Sequence, residues 1–84
     1  TALLTHIIAK MTDLIPDKII LVVGDAHIYK DHIDQVNIQL ERKPYIPPTL
    51  IINTKKDNIE DYRATDCIVQ DYVSYPSIKA GMIA

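Results

Sequence analysis

The feature that most constrains this chain is Ile19-Ile20-Leu21-Val22-Val23, five aliphatic residues with no polar interruption. β-Branched side chains lose rotamer freedom in a helix and pack well on a pleated surface, so the run reads as a strand. A strand with one wet face alternates apolar and polar residues, because successive side chains point to opposite sides. This run does not alternate, which predicts a strand covered on both faces. A chain of 84 residues has little material to do that. At this size only about 60–65% of the unfolded chain's surface is buried. The strand is therefore expected to belong to a larger sheet or to an oligomer interface.

The flanking sequence supplies helices and shorter strands. Over residues 2–12, Leu3, Leu4, Ile7, Ile8 and Met11 recur at i, i+1, i+4, i+5 and i+8, one apolar stripe of a helix with His6 beside it. Pro16 and Asp17 break the pattern into a turn. From Lys30 to Glu41 the spacing of Ile33, Val36 and Leu40 is helical again, and Asp31 and Asp34 near its start suit the positive end of the helix dipole. Pro44, Pro47 and Pro48 end that helix and force an extended connection. Thr49 to Ile52 and Cys67-Ile68-Val69 read as short strands. Between them, Asp57 or Asn58 is placed to cap one helical turn through Ile59-Glu60-Asp61-Tyr62. Tyr72, Tyr75 and Pro76 belong to a structured tail. The expected fold class is α/β or α+β: two helices and three strands, with an incomplete sheet.

Composition narrows the function classes. The formal charge is −2, with no basic surface to neutralise a phosphate backbone, so a polymeric nucleic-acid partner is not expected. The one cysteine, Cys67, rules out an internal disulfide framework and suits a reducing compartment. No apolar run reaches the roughly 18 residues needed to span a bilayer. The expectation is a soluble, cytoplasmic protein. Five Tyr with no Phe or Trp leave Ile, Leu and Val to supply core mass. Thr1 opens directly into Ala2-Leu3-Leu4, and the end is the apolar Ala80-Gly81-Met82-Ile83-Ala84. Both termini read as those of a piece cut from a larger protein.

The densest polar cluster is Asp25, His27, Tyr29, Asp31, His32 and Asp34, where the aliphatic run gives way to a helix. Ligand-binding groups often sit at such strand ends. If the backbone stays extended, Asp25, His27 and Tyr29 share one face at i, i+2 and i+4. A neutral imidazole and a phenol each donate and accept, which suits a sugar hydroxyl. Spacing alone equally allows the two rings to satisfy buried backbone groups. A zinc or iron site competes for the same residues. Against it, His27 and His32 are five apart rather than at the i, i+4 spacing of the helical zinc motif, and the carboxylates are explained as caps and solvated surface. Cys67 lies in an apolar strand with no His nearby in sequence and reads as a buried, inert thiol. Arg42-Lys43 reads as a solvated helix end. The two glycines, Gly24 and Gly81, cannot build a phosphate loop or a Ser-centred elbow.

Gly24-Asp25-Ala26-His27-Ile28-Tyr29 resembles a segment of thymidylate synthase. The likeness extends upstream through Ala2-Leu3-Leu4-Thr5-His6 and Asp13-Leu14. It extends downstream through His32-Ile33-Asp34-Gln35, Gln39-Leu40-Glu41-Arg42-Lys43-Pro44, Asp61-Tyr62-Arg63, Asp66, Tyr72, Pro76, Ile78 and Lys79. It covers essentially the whole chain without a gap. The resemblance implies that residues 1–84 are a C-terminal segment of a thymidylate synthase domain, a mixed sheet packed with helices. It implies a methyltransferase that converts dUMP to dTMP with 5,10-methylenetetrahydrofolate as co-substrate and no metal. It further implies that His27 and Tyr29 bind the deoxyribose hydroxyl, that Met82, Ile83 and Ala84 form the lid over folate and nucleotide, and that the enzyme is a homodimer pairing through a sheet face.

The same resemblance marks what these residues do not include. The family's nucleophile lies in a Pro-Cys-His loop that matches nothing here, and Cys67 does not stand in its place. The phosphate-holding arginines and the pyrimidine-reading Asn and Asp are also unmatched. Without a thiolate to add to the pyrimidine, no covalent intermediate forms, so the 84 residues alone are expected to be inactive, with no catalytic residue among them. A non-catalytic remnant serving as an interaction module is the alternative. Departures from the family pattern include Thr1 for Tyr, a less basic Tyr45-Ile46-Pro47, Asp71 for Gly, Tyr75 for His, and the final Ile83-Ala84. The last of these bears on lid closure, which depends on side-chain fit.

Overall fold

The computed structural model describes residues 1–83. The chain divides into two compact units, Thr1–Leu21 with Pro47–Tyr72, and Val22–Ile46 with Val73–Ala84. The class is the expected one, helices together with strands.

In the first unit, helix α1 spans Ala2–Thr12. Asp13 ends it in the left-handed conformation, φ 56°, and the Leu14 amide donates back to the Ala9 carbonyl at 2.9 Å. That pairing satisfies a carbonyl the helix would otherwise leave open. Strands β1, Thr49–Ile52, and β2, Cys67–Gln70, pair antiparallel, with Leu50 opposite Val69 and Ile52 opposite Cys67. Leu50 and Ile52 share one face of β1. They line a groove of about 170 Å³ with His6, Ala9, Leu14 and Pro16. Ala9, 7% exposed, is the one buried residue among those described. It lies about 200° around the helix from Ile7, opposite the apolar stripe. The stripe therefore does not face the strands: Leu3, Leu4 and Ile8 remain exposed.

The β1–β2 connection is held by polar contacts. Lys56 Nζ donates to Asp66 Oδ2 at 2.7 Å and to the Asp61 carbonyl at 2.8 Å, while its backbone amide donates to the Tyr62 hydroxyl at 2.9 Å. The Arg63 amide donates to the same Asp66 oxygen at 2.7 Å. Asn58, one of the two caps the sequence offered, caps a single 3-10 turn over Ile59–Asp61 by accepting from the Glu60 amide. A further 3-10 turn over Ala64–Asp66, not anticipated from the sequence, leads into β2.

In the second unit, a 3-10 turn over Lys30–His32 leads into helix α2, Ile33–Glu41. Helical spacing thus holds from Lys30 onward, but with a tighter first turn. Arg42 is extended, and its amide closes the last turn on the Gln39 carbonyl. Of the predicted stripe on α2, Val36 is half-buried and Ile33 and Leu40 are exposed.

One expectation is overturned. Residues 19–23 form no strand, and their side chains are 41–90% exposed. A strand needs a neighbour to satisfy its amides and carbonyls. Within residues 1–83 no segment pairs with this run, so its composition alone does not order it. The sheet has two strands where three were expected. Among the described residues, no helix is long and apolar enough to cross a membrane.

Candidate functional site

The segment from Gly24 to Tyr29 carries the candidate site. Gly24 has no positive φ, and a side chain there would meet nothing within 4 Å, so its backbone places no demand for glycine. Tyr29 is extended, φ −66° and ψ 140°, but the chain bends at Gly24 and Asp25, so the extended run from Asp25 to Tyr29 that the i, i+2, i+4 pattern required is not formed. The rings of His27 and Tyr29 meet edge-to-face with centroids 5.7 Å apart. His27 Nδ1 lies 3.2 Å from the Asp25 carbonyl and 3.7 Å from an Asp25 carboxylate oxygen. A carbonyl can only accept, so Nδ1 carries the hydrogen in this contact and Nε2 of a neutral ring is left as an acceptor. An acceptor imidazole nitrogen beside a phenol able to donate or accept is a pair suited to a hydroxyl ligand. Both side chains are well exposed and free to be covered.

His32 extends this array. Its ring meets Tyr29 edge-to-face at 5.7 Å. Its Nε2 donates to the Gly81 carbonyl at 2.7 Å, across 49 residues of sequence. One turn on, Gln35 Nε2 donates to the Lys79 carbonyl at 3.3 Å. The expected lid residues thus follow directly on a tail fastened to the start of α2. Met82 is 97% exposed and Ile83 is half-buried. Ala84 lies outside the described residues. His32 was visible in the sequence as part of the polar cluster, but nothing in its spacing pointed to Gly81.

Arg42 corrects another expectation. Instead of ending in solvent, its guanidinium lies over the Tyr75 ring at 5.1 Å. Tyr75 in turn stacks on Tyr45 at 4.5 Å and donates its hydroxyl to the Lys43 carbonyl at 3.0 Å. A flat guanidinium is weakly hydrated and can stack on an aromatic face. Cys67 is a free, half-buried thiol on β2. Among the described residues, no three His, Cys, Asp or Glu side chains are grouped to hold a metal ion. The bond from Lys56, and secondly that from the Arg63 amide, hold the Asp66 carboxyl below the usual carboxylate range.

The thymidylate synthase family model matches residues 1–84. The chain is 48% identical over 81 residues to a bifunctional dihydrofolate reductase-thymidylate synthase of Leishmania major, covering 96% of this chain and 16% of that protein. It is 46% identical over 81 residues to the thymidylate synthase of Herpesvirus ateles, covering 96% of the chain and 28% of the relative. It is also 46% identical over 79 residues to that of Pseudomonas fluorescens, covering 94% and 28%. It thus spans less than a third of the length of these relatives, while their likeness to it runs nearly from end to end. The chain belongs to the thymidylate synthase family.

Proposed function

We propose that this chain is the C-terminal segment of a thymidylate synthase domain, which methylates dUMP to dTMP with 5,10-methylenetetrahydrofolate. Its part is to supply the deoxyribose-binding wall, through His27 and Tyr29, and the closing tail of Met82, Ile83 and Ala84. The observation that carries this reading is the His27–Tyr29 pair itself. Its rings adjoin at 5.7 Å, and the Asp25 carbonyl fixes the imidazole so that Nε2 is offered to a ligand. A ribose hydroxyl can donate to that nitrogen while accepting from the phenol. The nucleophilic cysteine and the phosphate-binding arginines belong to the part of the enzyme that these residues do not include. The 84 residues alone therefore bind and position without transforming. The working enzyme is a cytoplasmic homodimer.

In the full-length enzyme, His27→Ala and Tyr29→Phe are each expected to weaken nucleotide binding or turnover by about 1–3 kcal/mol, the worth of one buried hydrogen bond whose partner is left unsatisfied. Wild-type kinetics in both variants would sink the assignment. The exposed aliphatic residues 19–23 favour a second reading, a non-catalytic module that docks through them. The coding sequence ahead of Thr1 separates the two: a Pro-Cys-His loop supports the enzyme, and a start codon there supports the module.

A further inference from the structure

We propose that His32 is a positioning residue that fastens the C-terminal tail to the nucleotide-contacting segment, making Gly81 the last fixed point before the closing residues. The inference rests on the reading of His27 and Tyr29 as deoxyribose contacts and of the tail as a lid. His32 is half-buried, and its ring joins two groups. One is Tyr29, met edge-to-face at 5.7 Å; the other is the Gly81 carbonyl, 2.7 Å from Nε2. Gln35 grips the same tail at the Lys79 carbonyl. Farther back, Tyr75 is held by Arg42 and the Lys43 carbonyl. The tail is thus attached at both ends, at Tyr75 and at Gly81. Beyond Gly81, Met82 stands 97% exposed, ready to be buried by what it closes on. A lid whose root is already fixed loses less conformational freedom on closing, and so binds its ligand more tightly.

The test uses the full-length enzyme. His32→Phe keeps a ring edge against Tyr29 and removes the donor to Gly81, whereas His32→Gln keeps a donor. The readouts are the Kd of the nucleotide alone and the Kd of the folate for the nucleotide-bound enzyme. His32→Phe is expected to raise the folate Kd about 3–10-fold, the worth of one hydrogen bond, with the nucleotide Kd changed less than about twofold. His32→Gln should lie nearer wild type. In an enzyme ending at Gly81, which lacks the closing residues, His32→Phe should add nothing further. An unchanged folate Kd in His32→Phe, or the same rise persisting in the shortened enzyme, overturns the proposal. Should His32→Phe fail to fold, Gln35→Leu loosens the second grip and should raise the folate Kd in the same direction; no change there overturns it equally. Altered nucleotide binding in His27→Ala and Tyr29→Phe, together with an unchanged folate Kd in His32→Phe, defeats this inference alone. Unaltered nucleotide binding in those two variants defeats the underlying reading, and this inference with it.

Discussion

Asp71 holds its backbone at φ 60°, in the left-handed region, directly after β2. An L-residue there pays roughly 1–2 kcal/mol, less for Asp, whose short polar side chain tolerates the conformation, and none for Gly. The resemblance places Gly at this position, and the backbone supplies the reason. Asp71→Gly is expected to raise stability by up to about 1 kcal/mol, while Asp71→Val lowers it by at least as much; denaturant midpoints of the full-length protein check both. Asp66 gives a pH dependence. Because Lys56 and then the Arg63 amide hold its folded-state pKa below that of the unfolded chain, ionised Asp66 favours the fold throughout the range above the ordinary carboxylate value. That contribution fades as pH falls toward the folded-state value. Asp66→Asn should therefore lower stability at neutral pH and flatten the acid limb of the stability profile; an acid limb as steep as in the wild type would contradict this. The Lys55–Asp13 bridge, 2.5 Å long but 42% and 76% exposed at its side chains, is expected to matter far less.

At the scale of elements, α1 and β1 were legible to the residue, and β2 nearly so. Periodicity and proline placement are local properties, and they fix where an element starts and stops. Which face of an element is buried is not a local property. The stripe Leu3-Leu4-Ile7-Ile8-Met11 predicted the inward side of α1, yet Ala9 is the residue covered at the groove with Leu50 and Ile52. A small side chain lets the helix approach the strands closely, and the larger stripe is left for other surface. Ile52→Ala should remove apolar contact from that groove and destabilise by about 1–2 kcal/mol, less than for a fully buried isoleucine because Ile52 is only half-covered. Thermal unfolding of the full-length protein would show it, and an unchanged midpoint would mean that the groove contributes no packing.

For the molecule as a whole, the exposed aliphatic surface dominates. Residues 19–23, Leu3, Leu4 and Ile8 of the α1 stripe, and Ile38 and Leu40 on α2 all remain open, while Ala9 alone is buried among the described residues. Surface of that kind is ordinarily covered by more of the same protein or by a partner. The 84 residues prepared alone are therefore expected to associate or to be poorly soluble, as read by size-exclusion chromatography and light scattering. A monomer with a sharp, cooperative thermal transition would show instead that this much chain suffices for a domain.

Sequence alone determined the two helices and the two short strands, because each follows from spacing over a few residues, and it narrowed the cap to Asp57 or Asn58; it offered His27 and Tyr29 as candidates without deciding their role. It also carried the family, through an ordered likeness across the whole chain. The exposed state of the Ile19–Val23 run, the burial of Ala9 in place of the stripe, the stacking of Arg42 on Tyr75 and the His32 grip on Gly81 were decided only in three dimensions. Each depends on which distant segment arrives beside it, and a strand without a neighbour or a histidine without its carbonyl looks the same in sequence as one that has found its partner.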